Sequence, residues 1–469
     1  MKKPFSIRIL SIILSAIFAL SPAFPCFAQS EEYNGSSDAK NCPSIIITGY
    51  FLPGLYTDYG TERQKEVWAM KKTLPKLLGV AAATVPTLPA LLFPGGEKIC
   101  GKAAADTFNR LFEFSKGSND YDTRSQKPQE ASLTYYNNNG LSFIDKDLSL
   151  ELGKKQGTDN VFTFAYDWRD NVVDTVETLK IFIDGVIEYT GAEKINLFGL
   201  SFGGLVAGAY LSKYGSEGKI KNAVLDVPAL GGTEAIGNFF EQPEIQGNTI
   251  VNIAGDALGL RVNVKRLAFA KNLPGAENFN KAVKIFAENT ADITLSWGSF
   301  WDLMKTDDYE RMKTAYPDVP NDIIEKSDEL HYSIMPNFRS AFAQCRENGT
   351  NISIIANYTD YPTLFGGSER GDILIETYLE SGAKIAPVNK TLGSNYKQID
   401  KCCGKNHISK DSVIDASCAY LPDSTWFIKD HYHGTYSKDK TNLSLIVDLL
   451  LADKTITVFS DSRYPQFIM

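Results

Sequence analysis

An α/β architecture, a mostly parallel central sheet flanked by helices, is what this sequence predicts, on three observations. Short apolar runs of strand length alternate with segments of helical period. A Gly-x-Ser-x-Gly pentapeptide, Gly199-Leu200-Ser201-Phe202-Gly203, joins a run of the first kind to one of the second. Two histidines, His431 and His433, lie between the last apolar run and the last helical one. Strand–helix alternation with right-handed crossovers lays strands in parallel with helices on both faces. Sites in such sheets form beyond the carboxyl ends of the strands.

The elements follow in order. Ser44–Thr48 reads as a short buried strand ending at Gly49, and Val161–Ala165 as a second, followed by Tyr166-Asp167-Trp168-Arg169. From Val172 to Ile187, apolar Val173, Val176, Leu179, Ile183, Val186 and Ile187 recur at helical spacing. Ile195–Phe198 is the strand before the serine, and the segment from Gly204 is the helix after it. Ala223–Leu225, Ile352–Ala356 and Trp426–Ile428 are further strands, and Leu443–Leu450 is the closing helix. Gly49, Ser201 and Asp226 all fall at strand carboxyl ends.

Two stretches break the rhythm, about 55–160 and about 231–339. Both are too long for simple connections and read as insertions into one domain of residues 29–469. The first is an excursion and the second a cap or lid over the site.

Strand, sharp turn, helix, with serine at the apex, is the nucleophile elbow of α/β-hydrolases. The backbone there is strained, and side chains two residues either side of the serine would collide where strand and helix converge, so Gly199 and Gly203 suit those positions. A serine nucleophile needs a base and a residue that orients the base. Of the four histidines, His331 falls in the cap and His407 in a cysteine-rich loop. His433, nearer the final helix, is the preferred base and His431 the alternative. For the acid, Asp411, separated from the histidines by one short strand, is preferred; Asp372, in a Gly-Asp turn before apolar residues, is the alternative. Asp415 and Asp430 read as surface carboxylates. Phe239, Phe240, Trp297, Phe300 and Trp301 suit either an acyl pocket or the packing of the cap.

Composition limits the function classes. The chain has 469 residues, is 43% hydrophobic and 22% charged, and carries a net charge of −8. That balance argues against nucleic-acid partners and against simple attraction to anionic membranes. No cofactor and no metal is expected. Lys2, Lys3 and Arg8, the apolar run Ile9–Leu20 and the small residue Ala28 make an export signal over residues 1–28, cleaved near Ala28. The protein is then periplasmic or extracellular. Past Cys26 remain Cys42, Cys100, Cys345, Cys402, Cys403 and Cys418, an even set compatible with disulfides or with free buried thiols.

Tyr166-Asp167-Trp168-Arg169 with the elbow at its distance, Pro228-Ala229-Leu230-Gly231-Gly232, and Ala254-Gly255-Asp256 carry a family likeness. The chain resembles the lecithin:cholesterol acyltransferase-like branch of α/β-hydrolases, which includes phospholipases and phospholipid:diacylglycerol acyltransferases. It departs from that branch at Thr48-Gly49, where Pro-Gly is usual, and around both candidate acids. The resemblance implies an oxyanion hole from the backbone N–H groups of Phe51 and Phe202, with Tyr50 a neighbouring alternative to Phe51. It also implies a structural Asp167–Arg169 ion pair buttressing the elbow.

The function expected is an exported serine hydrolase or O-acyltransferase acting on lipid esters, phospholipid or acylglycerol, at a membrane or lipid-particle surface. The other readings are an esterase for soluble or polymeric esters and a non-catalytic hydrolase-fold binding protein.

Overall fold

The computed structural model describes residues 42–69, 85–116, 121–124, 126–141, 145–241, 276–363, 365, 367–400, 404–436 and 439–468. The export signal, the Ala254-Gly255-Asp256 patch, Cys402 and Cys403 lie outside the described residues.

The chain runs through β1 (Ser44–Ile47), α1 (Gly96–Phe112), α2 (Lys146–Gln156), β2 (Val161–Phe164) and α3 (Val172–Thr190). It continues through β3 (Ile195–Leu200), α4 (Phe202–Tyr214), β4 (Ile220–Asp226) and α5 (Ala276–Thr294). Then come α6 (Phe338–Glu347), β5 (Asn351–Tyr358), β6 (Thr425–Lys429), α7 (Lys440–Leu450) and β7 (Phe467–Ile468). The seven strands form one sheet in the order β7-β6-β5-β4-β3-β1-β2. Every neighbouring pair is parallel, with Ile45 opposite both Phe162 and Leu197. This is the α/β arrangement expected, a parallel central sheet flanked by helices, with β7 the one strand of this sheet that the apolar pattern did not announce.

Alternate side chains of a strand face opposite sides of the sheet, and both sides here are dry. Ile45, Ile47, Leu197, Ala223 and Leu225 pack with α3, α4 and α6 through Val176, Leu179, Ile183, Leu205, Tyr210 and Phe338. Ile46, Phe198, Val224, Ile355 and Trp426 pack with α2 and α7 through Leu148, Leu152, Leu445 and Leu449. Burial on both faces explains why these strands read as continuous apolar runs. In α7, Asp439 caps the N-terminus by accepting from Thr441 N at 2.7 Å, a contribution of about 1 kcal/mol. Burying each of Leu445, Ile446 and Leu450 contributes roughly 1.5–3 kcal/mol, so packing rather than the cap holds this helix in place.

The two insertions meet. Phe108 of α1 and Phe286 of α5 pack edge to face, ring centres 5.5 Å apart. A Cβ on Gly101 would lie 2.6 Å from the Ala282 carbonyl oxygen, so the helices touch almost backbone to backbone. Helices of the two inserted stretches therefore pack directly on one another. The first stretch also supplies α2, which belongs to the sheet's own helical layer. The second stretch is tied to the sheet's helical layer by Asp302, whose carboxylate accepts from Val172 N at 2.6 Å and from Asn171 Nδ2 at 3.1 Å at the start of α3. No helix among the described residues is long and apolar enough to cross a membrane.

Candidate active site

β3 delivers Ser201 and α4 begins at the next residue. Ser201 has φ 57° and ψ −120°, a conformation that costs about 1–3 kcal/mol. Its N–H donates to the Asp226 carbonyl at 2.9 Å, and its carbonyl accepts from Gly204 N at 2.8 Å, which holds the turn in that shape. The flanking glycines are required by contact. A Cβ on Gly199 would lie 2.6 Å from the Gly203 carbonyl oxygen, and one on Gly203 would lie 2.5 Å from that of Ile47.

The Ser201 hydroxyl is 2.7 Å from His433 Nε2. His433 Nδ1 makes a short contact with Asp372 Oδ2. The other Asp372 oxygen accepts from Leu374 N at 2.9 Å and Ile375 N at 2.8 Å. Asp372 is fully buried, whereas the His433 side chain keeps 10% of its surface exposed. The imidazole is thus oriented by a dry carboxylate on one side and reachable on the other. Ile373, next to that carboxylate, is at φ 93°, a second strained residue at the site.

The structure does not bring Asp411 to the histidine. Its carboxylate is 2.9 Å from Lys429 Nζ and 2.7 Å from Ser409 Oγ. Burial works against its charge, but Lys429 and Ser409 hold its carboxyl below the usual carboxylate range. His431 also turns away, with Nδ1 at 3.1 Å from the Lys429 carbonyl and Nε2 at 3.2 Å from Asp439. The structure brings together Ser201, His433 and Asp372, the alternative acid, and leaves the preferred Asp411 paired with Lys429. Asp415 is likewise no surface group: it is buried and accepts from Ser417 N, Ile399 N and the Tyr396 hydroxyl.

His331 is buried within the second inserted stretch, stacked on Tyr309 at 4.2 Å, with ring nitrogens 3.1 Å from Thr306 Oγ1 and from the Trp301 carbonyl. His407 is buried with Nδ1 2.9 Å from Gln466 Oε1. Cys42, Cys100, Cys345 and Cys418 are unbridged.

The turn after β1 reaches the elbow. A Cβ on Gly49 would sit 3.4 Å from Ser201 Cβ. Phe51 in that turn is at φ 62°, and its carbonyl accepts from Trp68 Nε1 at 2.8 Å. Tyr166 donates its hydroxyl to the Thr48 carbonyl at 2.6 Å, tying the end of β2 to the same turn. Phe202 opens α4, where an N–H has no intrahelical acceptor and the helix dipole is positive.

Asp167 and Arg169 do form a buried ion pair, with Arg169 Nη2 2.5 Å from Asp167 Oδ2. Its surroundings differ from the expectation of an elbow buttress. The guanidinium lies over the Tyr121 ring at 4.9 Å, and the Arg169 carbonyl accepts from Ser299 N at 3.2 Å, so the pair touches both inserted stretches.

Around the turn lie aromatic rings: Phe51 with Trp168 at 4.5 Å, Tyr50 with Phe202 at 5.4 Å, and Trp168 with Trp297 at 5.1 Å. Phe300 continues the group, 6.1 Å from Trp297 and half-buried. Phe240 and Trp301 are buried in a hydrophobic cluster of the second stretch, where Trp301 Nε1 donates to the Leu295 carbonyl at 2.9 Å.

No family model matches this chain. No curated protein matches it either. Among solved structures, phospholipase PlaB from Legionella pneumophila aligns over 51% of this chain and 43% of its own, at 12% identity and a TM-score of 0.29. The chain thus spans less than half the length of that phospholipase, and a likeness this distant carries no argument about chemistry. None of these comparisons places the chain in the lecithin:cholesterol acyltransferase-like family.

Proposed function

We propose that this protein is an exported serine hydrolase or O-acyltransferase that cleaves lipid esters through an acyl-enzyme on Ser201. The observation that carries the reading is the relay from Ser201 Oγ through His433 to Asp372. His433 accepts the Ser201 proton as the hydroxyl oxygen attacks an ester carbonyl, then returns it to the leaving alcohol. Asp372 fixes the Nδ1–H tautomer and stabilises the imidazolium that forms. The N–H groups of Phe51 and Phe202 receive the tetrahedral oxyanion, each worth roughly 3–4 kcal/mol in comparable sites. Water, or an alcohol acceptor, then takes the acyl group.

The half-buried rings of Tyr50 and Phe51, in the turn beside the nucleophile, support an apolar acyl chain as substrate. The likeness of Tyr166–Arg169 and the elbow to the lecithin:cholesterol acyltransferase-like branch points the same way. The basic and apolar N-terminal segment supports export. A fluorophosphonate should label wild type and fail to label Ser201→Ala; an unlabelled wild type would leave the binding-protein reading standing. Chain-length profiling should find an optimum at long acyl esters. An optimum at acetyl or butyryl would transfer the proposal to soluble esters, and lipid products formed with and without an added alcohol separate transfer from hydrolysis.

A further inference from the structure

Behind the relay lie two more buried carboxyl groups. Glu380 sits in a single helical turn, Thr377–Ser381, shortly after Asp372, and is fully buried. One of its carboxyl oxygens, one of Asp372 and a ring nitrogen of His433 all lie within 4.8 Å of one another. Glu380 Oε2 accepts from Asn357 N at 2.9 Å at the end of β5. Its Oε1 finds no hydrogen-bond donor among the described residues. Asp226, at the end of β4, is 1% exposed, and neither of its carboxyl oxygens has a donor there.

Three carboxylates cannot all be charged in this space, because like charges in a dry site repel and none is hydrated. Asp372 is the one provided for, by two backbone N–H groups and His433. An acceptor-only Glu380 beside it would be repelled, whereas a carboxylic acid would bond to it. We infer that Glu380 is a positioning residue that keeps a proton and donates it in a hydrogen bond to Asp372, holding that carboxylate in register with His433. Burial, then the charge of Asp372, pushes the Glu380 carboxyl well above the ordinary range, with Asp226 adding to the effect. Burial does the same to Asp226. A carboxyl group kept neutral in an apolar site so that it can donate is a known device of enzymes.

The inference rests on the serine-hydrolase reading. It is tested by comparing wild type, Glu380→Gln and Glu380→Ala for kcat and KM on one chromogenic ester, with thermal melting to establish folding. The Gln amide can donate to Asp372 and accept from Asn357 N, so Glu380→Gln should keep kcat within about threefold of wild type. Glu380→Ala should lower kcat roughly tenfold or more and leave KM within about twofold. A folded Glu380→Gln as impaired as Glu380→Ala, a Glu380→Gln that does not fold, or a Glu380→Ala as active as wild type would each overturn the inference. Should Ala not fold, the Gln variant alone decides. A wild type with neither turnover nor fluorophosphonate labelling would instead bring down the underlying reading, and the inference with it.

Discussion

The main-chain N–H of His433 donates to the main-chain oxygen of Asp372 at 2.9 Å, alongside the contact between their side chains. The loops after β5 and β6 are therefore joined by a bond that no side-chain substitution removes. The geometry of the relay does not depend on the carboxylate alone.

That separation makes the acid testable. Asp372→Asn keeps the backbone bond but presents the wrong partner to Nδ1–H, and kcat should fall by about 10³–10⁴. Asp411→Asn breaks a partly exposed pair with Lys429, worth about 0–1 kcal/mol, and should leave kcat within about threefold. Steady-state kinetics on both variants decides; equal losses would contradict the assignment.

Gly203→Ala places a methyl group 2.5 Å from the Ile47 carbonyl oxygen and 2.6 Å from that of Thr48. Backbone cannot give way as a side chain can, so about 3 kcal/mol of destabilisation is expected. Urea unfolding would measure it, and a loss below about 1 kcal/mol would mean that the elbow relaxes.

Tyr166→Phe removes the hydroxyl held by the Thr48 carbonyl in the turn beside Ser201. The buried carbonyl loses its partner at a cost of about 1–3 kcal/mol. Because that turn carries Phe51, kcat should fall more than KM rises, by roughly five- to tenfold. An unchanged kcat in a destabilised variant would confine Tyr166 to folding.

Stability should fall with acid in a window set partly by His331. Burial lowers its pKa from the ordinary 6.5 to about 4, against hydrogen bonding to the Trp301 carbonyl. The unfolded chain takes up this proton below about pH 6.5, while the folded protein resists it until about pH 4. The stabilising contribution is complete above 6.5 and is lost progressively as pH falls to 4, by up to about 3 kcal/mol. Urea melts of wild type and His331→Gln across that range should converge as the pH drops. Parallel curves would show that His331 is not the group responsible.

The strands and the elbow could be read from the chain because their causes are local. Ser44–Ile47 and Ile195–Leu200 are buried on both faces and so stay apolar at every position. Gly199 and Gly203 are spaced by the width of one turn. The acid was harder because its cause is not local. Asp411 is closer to His433 along the chain, but Lys429 takes its charge, while Asp372 reaches the histidine across a segment that includes a small antiparallel pair, Lys384–Ile385 with Ile414–Asp415. Glu380 carried no signal of its own in the sequence.

By itself the sequence determined the α/β order, the serine at the apex of its turn and the histidine before the last helix, since periodicity and glycine spacing act over a few residues. The tertiary structure alone decided which aspartate faces His433, that helices of the two inserted stretches pack on each other, and that two further carboxyl groups are shut in behind the relay. Those outcomes depend on which loops pack together at the ends of distant strands. Charge and hydrogen bonding reward a contact only once the fold has brought the partners within reach.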